Sequence, residues 1–356
     1  MSRRVRTPPG LPRRRTDGAS ARSRTSPTTY AYGPAIAWLL EEDQPGIRLR
    51  TLTELLGRPS SDAEVRAARN QAASVGWPAE ILARRTPGAG WSDGTSPYRP
   101  KYVSTNWMML ILSDLGVTRE HPAVEDACEY WMERMAAKNG GVGGNSKGNQ
   151  HYCVAANMAR ALIRFGYTDD SRVRATLDWL VGIADPKGGW SCFGLSRNLD
   201  SWEAMSAFAA YPRTKWSPEM RSCVEKAAEY FLSRELHRQG ARYPPWYRTH
   251  YPVHYYYDLL VGLDFMTRLG YANDPRLGYA ASWLRSRRRA DGTWNLDAVH
   301  PDVGPAMRRW LAAHPSQRPI PFALETVGRP SKMVTLTALR ALGEVDRALG
   351  NPEPRP

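Results

Sequence analysis

The chain has 356 residues, of which 42% are hydrophobic and 24% charged, enough to bury a sizeable core as one large domain or two ordinary ones. Charge or proline interrupts every apolar stretch before the roughly 18 residues that a membrane-spanning helix needs, which argues against an integral membrane protein. The four cysteines, Cys128, Cys153, Cys192 and Cys223, form no CxxC pair, which argues against a disulfide framework and fits a reducing cytoplasm; the net charge of +14 raises the question of an anionic partner.

That charge is concentrated at the start. Residues 1–26 hold eight arginines against one aspartate, half of the excess, among Pro, Ser and Gly. Such a composition cannot offset its own ordering entropy, so residues 1–30 read as a disordered basic tail. It is either inert or a contact for nucleic acid or an anionic membrane surface. No continuous apolar stretch follows the arginines, so a secretory signal is not expected.

Residues 31–350 read as one domain of helices. An early helix is expected near 34–42, followed by pairs near 47–75, 103–137, 151–184, 200–235 and 254–288, and a last helix near 331–349. The first pair, from Ile47 to Gly57, looks more like an open solenoid repeat than the others. Three landmarks recur in phase through the chain. An apolar residue precedes a large aromatic by six positions at Val124/Tyr130, Val173/Trp179, Val224/Tyr230 and Leu277/Trp283, at spacings of 49, 51 and 53. A Gly-containing turn ends in a bulky residue at Trp91, Val142, Trp190, Tyr243 and Trp294, at spacings of 51, 48, 53 and 51. Gly116, Gly166 and Gly270 each follow an apolar helix, as C-caps do. Pro122 and Pro275 fall in first turns, and Asp169 and Asp170 suit a helix N-terminus. The repeating unit is therefore a helix, a short turn, a second helix and a longer Gly-rich loop. Residues 295–330, with Pro301, Pro305, Pro315, Pro319 and Pro321, form a Pro-rich loop insertion. Strand signals are nearly absent.

Helical hairpins with one apolar face must stack to bury it, in an open solenoid or, with about five or six units, in a closed ring. Tryptophan wedges at the loops favour closure. The loops Asp185-Pro-Lys-Gly-Gly-Trp190 and Arg288-Arg-Ala-Asp-Gly-Thr-Trp294 resemble the "QW" loops of squalene–hopene cyclases and protein prenyltransferase β subunits, and residues 90–345 are similar to that repeat family throughout. The Gln expected six positions before the Trp is Ala184 in one loop and Arg288 in the other. The resemblance implies an all-α fold, an α/α toroid, whose inner helices begin at the mouth of a central cavity.

In this sequence those starts read Lys101–Trp107, Gln150–Asn157, Asn198–Glu203, His254–Asp258 and Ser331–Thr335. Trp107, Tyr152, Asn157, Trp202, His254, Tyr255 and Tyr256 are the candidate binding residues there. They suit apolar pocket walls with a few polar groups, for an isoprenoid-like or other bulky apolar small molecule. Capping and packing between repeats account for the same residues equally simply.

Class II terpene cyclases, which share this repeat, begin by protonating an alkene or epoxide with a buried carboxylic acid in a cavity that stabilises carbocations by cation–π attraction. Against their Asp-x-Asp-Asp motif this chain has Asn198-Leu-Asp200-Ser201, with Asp200 in the donor's place, and Trp202 stands where the motif's Thr is expected. The motif is thus degenerate, and a helix cap also explains Asp200. Glu203 and Asp258 are the alternative acids. No Asp-Asp-x-x-Asp motif for diphosphate and magnesium is present.

No cofactor is expected. A prenyltransferase-like zinc site is the alternative, for which His151, Cys153, Asp200 and His254 supply the residue types. A His151/Cys153 nucleophile pair is discounted, because residues two apart on a helix point away from each other. The segment 243–257, nine of whose fifteen residues are Tyr, Trp or His, is either a rim of the cavity or a long loop pinned by aromatics. Two functions remain: an enzyme or degenerate enzyme acting on an apolar small molecule, with carbocation chemistry starting at Asp200, and a non-catalytic scaffold that binds a protein or nucleic acid. A filled ring centre would favour the second. The sequence leaves the oligomeric state open.

Overall fold

The computed structural model describes residues 33–88, 90–91, 96–191, 199, 201–237, 244–254, 256–299, 313 and 324–350. The basic tail and most of the Pro-rich insertion lie outside the described residues. The helices, in chain order, are α1 Gly33–Leu39, α2 Pro45–Arg50, α3 Ala63–Gln71, α4 Trp77–Ala83, α5 Thr105–Asp114, α6 Pro122–Arg134, α7 Tyr152–Phe165, α8 Ser171–Gly182, α9 Glu203–Ala210, α10 Pro218–Leu232, α11 Leu259–Arg268, α12 Gly278–Ser286 and α13 Lys332–Ala348. A single π-helical turn, Thr51–Leu55, extends α2. Among the described residues, β pairing is limited to isolated bridges.

Six inner segments form the ring. α5 packs on α7, α7 on α9, α9 on α11 and α11 on α13, and α13 returns to α2 and its π-helical turn. The last junction, between α2 and α5, is closed at backbone distance. A Cβ on Gly46 would fall inside van der Waals contact with the Leu115 carbonyl, and Arg50 Nη1 donates to the Asp114 carbonyl at 2.8 Å. Outside, α6 packs on α5, α8 on α7, α10 on α9, α12 on α11 and α1 on α13. The fold is an all-α toroid of six inner helical segments with an outer layer. The Ile47–Gly57 segment therefore belongs to the ring and not to an open solenoid. Its polar interior residues Arg50 and Glu54, which weaken the repeat signal, face partners on other inner helices.

The Gly–Trp landmarks are one device used three times. Trp91, Trp190 and Trp294 each donate Nε1–H to the carbonyl ten residues earlier, Ile81, Leu180 and Leu284, at 2.7, 2.9 and 2.7 Å. Each ring thus caps the end of one outer helix while wedging against the next inner helix. The backbone N–H of Trp91 and that of Trp294 reach threonines on that inner helix, Thr105 and Thr335, at 3.3 and 3.0 Å. Gly188, at φ +90°, could not carry a side chain, because its Cβ would collide with the Lys226 carbonyl on α10.

Capping follows the sequence. Asp170 accepts from Arg172 N at 2.8 Å and starts α8. The Asp170–Arg172–Glu129 link between outer helices recurs as Asp274–Arg276–Glu229. The helix α4 was not expected. Gly76 (φ +70°) and Pro78 form the N-cap and first turn of this short helix, whose Ile81 is buried.

Candidate functional site

The inner-helix starts meet at one end of the ring, and the candidate residues there are largely buried against one another. Trp107, at the start of α5, donates Nε1–H to the Tyr98 carbonyl at 2.9 Å and makes a T-shaped contact with His254, 5.0 Å between centroids. Tyr102 stacks on the same imidazole at 5.6 Å. Asn157 on α7 donates to the His254 carbonyl at 2.9 Å. Trp107, Asn157 and His254 thus converge from three parts of the chain into one plug. Tyr256 meets the edge of His250 at 5.3 Å. Asp200 and Tyr255 lie outside the described residues.

Glu203 opens α9 and is 1% exposed. The Tyr152 hydroxyl hydrogen-bonds its carboxyl and accepts the Ala204 N–H at 3.2 Å. The other carboxyl oxygen, Oε2, has no partner among the described residues. Burial pushes the Glu203 carboxyl well above the usual carboxylate range, and the hydrogen bonds from its own N–H and Tyr152 offset this only in part. Burial therefore favours the protonated form of Glu203. Trp202, just before it, is buried, with the Arg160 guanidinium 5.4 Å from its ring centroid.

Further along the inner helices the interior of the ring is charged, not aromatic. Arg50 Nε donates to Glu54 at 2.6 Å, and Arg268 joins Glu54 at 2.7 Å to Asp264 at 3.2 Å. Arg340 also donates to Asp264, from Nε at 2.9 Å and from Nη2 at 2.5 Å, and Arg164 pairs with Asp114. Burial alone would raise the carboxyls. The arginines more than reverse it, holding Glu54 and Asp264 well below their usual range. Burial also lowers Arg164 to about 10. Reading helix starts alone misses this layer, because its residues lie one to three turns further along. The signal in the sequence was polar residues recurring on otherwise apolar inner helices.

Between this layer and the mouth lies a cavity of about 50 Å³, whose wall includes Arg160, Trp202, His250, Tyr251 and Asp258. That volume is well below the several hundred Å³ of ordinary ligand pockets and holds a group of a few heavy atoms. Asp258, fully buried, caps α11 by accepting from Val261 N at 2.8 Å. Its second oxygen accepts from His250 N at 3.2 Å and contacts His250 Nδ1 at 2.6 Å. A carboxylate that accepts three hydrogen bonds is arranged to orient its neighbour. His250 therefore carries a proton on Nδ1, and its Nε2 has no partner among the described residues. Sequence reasoning passed over His250, although His–x7–Asp ahead of an inner helix was visible.

Cys153 Sγ lies 3.9 Å from His151 Nδ1, closer than helical geometry allows, because His151 is the extended N-cap of α7 and not part of the helix. This contact raises the imidazole of His151, itself partly offset by burial. Among the described residues no three His, Cys, Asp or Glu side chains gather as a metal site requires, and no helix is long and apolar enough to cross a membrane.

No family model matches the chain, and no curated protein does. Among solved structures it is similar to a protein from Actinoplanes at 19% identity, covering 89% of this chain and 99% of that one, with a TM-score of 0.45. It is similar to the type II terpene cyclase MstE from Scytonema at 17% identity, covering 92% and 99%, with a TM-score of 0.46. A glycosyl hydrolase of family 88 from Bacteroides vulgatus shares 13% identity over 90% and 93%, with a TM-score of 0.43.

Proposed function

We propose that the toroid binds an isoprenoid-like apolar molecule at its mouth and that Glu203 is the acid that protonates it. The observation that carries this reading is the buried carboxyl of Glu203 at an inner-helix start, its protonated form favoured by burial and its Oε2 without a partner among the described residues. An alkene is a weak base, so its protonation needs an acid kept protonated at neutral pH and aromatic groups close by. Tyr152 and Trp202 flank Glu203, and Asp200, three residues earlier, remains the motif-based alternative. The Glu203 proton would pass to an alkene carbon, leaving a carbocation that an internal double bond captures, and the carboxylate would recover its proton from the product or solvent.

The test is incubation of the purified chain with a panel of linear C15 to C30 polyprenols, their epoxides and prenylated aromatics, read by gas chromatography–mass spectrometry. A cyclised product that falls at least 100-fold with Glu203→Gln, while native mass spectrometry still finds the ligand bound, supports the reading. Turnover unchanged in Glu203→Gln and lost in Asp200→Asn would move the acid to Asp200. No ligand and no product in either protein would overturn the reading.

One observation favours a second function, a non-catalytic scaffold. The ion pairs of Arg50, Glu54, Arg268, Asp264 and Arg340 fill the middle of the ring. Partner binding would then use the outer surface, with the basic tail as an arm for nucleic acid. Pull-downs with and without residues 1–30 test it.

A further inference from the structure

The charge layer inside the ring does not balance. Five arginines, Arg50, Arg160, Arg164, Arg268 and Arg340, face four carboxylates, Glu54, Asp114, Asp258 and Asp264. Every one of these arginines except Arg160 has a carboxylate within ion-pair distance, and Asp258 is engaged by His250. Arg160 is 4% exposed and forms no ion pair or hydrogen bond among the described residues. Among the described residues its compensation is the Trp202 ring, 5.4 Å away, and an electrostatic interaction with the Glu203 carboxyl, which lies outside hydrogen-bond reach.

Two of its nitrogens, Nε and Nη2, are buried without a partner. These two lie on one edge of the guanidinium, the edge that grips a carboxylate with two parallel hydrogen bonds. The same cavity is lined by Tyr251, whose hydroxyl is also buried and unpartnered, and by His250, whose Nε2 is unpartnered. A buried cation outside any ion pair is costly, and orphaned donors add to that cost. Natural interiors seldom tolerate three such groups around one cavity unless something meets them. Water would meet the hydrogen-bonding demand but not the charge.

We propose that this cavity is a binding site for a carboxylate, held by the Nε/Nη2 edge of Arg160 and the Tyr251 hydroxyl, with the Trp202 ring beneath the guanidinium. The volume of about 50 Å³ fits a carboxylate and one or two further heavy atoms, as in acetate, and excludes a sugar or a nucleotide. The carboxylate comes either from a free small acid or from the end of a longer ligand that enters from the mouth. The site stands whether or not Glu203 protonates anything, so it goes beyond the function proposed above.

The test is calorimetric titration of the full chain, freed of carboxylate buffers by dialysis, with sodium acetate, sodium benzoate, sodium phosphate and sodium chloride at constant ionic strength. Acetate is expected to bind, phosphate and chloride at least tenfold more weakly. Arg160→Met is expected to abolish acetate binding and Tyr251→Phe to weaken it about tenfold. Thermal melts keep the result interpretable if a variant is perturbed. Removing an unpaired buried charge should leave Arg160→Met at least as stable as the wild type without anion, and only the wild type should gain stability when acetate is added. Acetate binding alone means a free small acid suffices. Benzoate binding at least tenfold tighter than acetate places the carboxylate at the end of a larger ligand. Equal responses to acetate and chloride, or an acetate response that survives in Arg160→Met, would overturn the proposal.

Discussion

Asp258→Asn isolates the contact that orients His250. In the wild type one carboxylate oxygen holds the α11 N-terminus through Val261 N at 2.8 Å, while the other receives both His250 N–H and the ring at Nδ1. Asparagine can keep its oxygen on Val261 N, so the helix cap survives. Its amide nitrogen then takes the place of the second oxygen and faces the His250 backbone N–H, donor against donor. The imidazole can adapt by moving its proton from Nδ1 to Nε2. The backbone N–H cannot adapt, and a buried orphaned donor costs about 1–3 kcal/mol. Asp258→Ala also loses the cap and leaves the ring without its partner, for about 3–5 kcal/mol, the usual cost of removing one side of a buried charged pair. Urea denaturation would read these costs as midpoint shifts at constant slope. Nitrogen NMR of histidine-labelled protein would report the tautomer of His250, with Nδ1 protonated in the wild type and Nε2 protonated in Asp258→Asn. If Asp258→Asn unfolds within 0.5 kcal/mol of the wild type and leaves the tautomer unchanged, the carboxylate does not orient this ring, and the reasoning about the cavity wall fails with it.

Three further outcomes follow from the same geometry. Trp190→Ala and Trp294→Ala each remove a buried wedge and its hydrogen bond to Leu180 or Leu284, and each is expected to lower stability by about 3–5 kcal/mol in chemical denaturation. A cost under 1 kcal/mol for either would mean that the Gly–Trp loops do not hold the layers together. Glu203 has a folded pKa above its unfolded one, so its contribution is fully present below about pH 4 and is lost as pH rises toward the folded value. Glu203→Gln should therefore be more stable than the wild type at pH 7 and lose that advantage at pH 4, as thermal melts at the two pH values would show. Asp264 has the opposite sign: its depressed pKa gives stability that is present above about pH 4 and lost below it. Asp264→Asn, which strands Arg340 and leaves Arg268 with Glu54 alone, should cost about 3–5 kcal/mol at pH 7 and less under acid conditions, measured by denaturation across that range.

The architecture was legible in the sequence because its causes are local and repeated. Apolar spacing makes the helices, glycines such as Gly116, Gly166 and Gly270 end them, and the Gly–Trp turns recur every fifty residues. Each landmark works within one unit, so one-dimensional periodicity carries it. Trp190 and Trp294 bear this out, since each bonds a carbonyl ten residues back in its own unit. Among the candidate site residues, Trp107, Asn157 and His254 meet at one end of the ring, because position in the repeat sets which end an inner helix begins at. What they do there was not legible. Whether an aromatic residue faces a ligand or another aromatic depends on which units become neighbours, and here Trp107 and His254 meet across well over a hundred residues of chain. The charged interior was hidden for the same reason. Arg50, Glu54, Asp114, Asp264, Arg268 and Arg340 each look like an isolated polar interruption of an apolar helix, and only ring closure between α13, α2 and α5 makes them one network. The burial that favours the protonated form of Glu203, the orientation of His250 and the absence of an ion pair for Arg160 among the described residues belong wholly to the tertiary structure. Sequence supplies the ionisable groups, but desolvation and the sum of neighbouring charges, which fix their protonation and pairing, exist only once distant segments have come together.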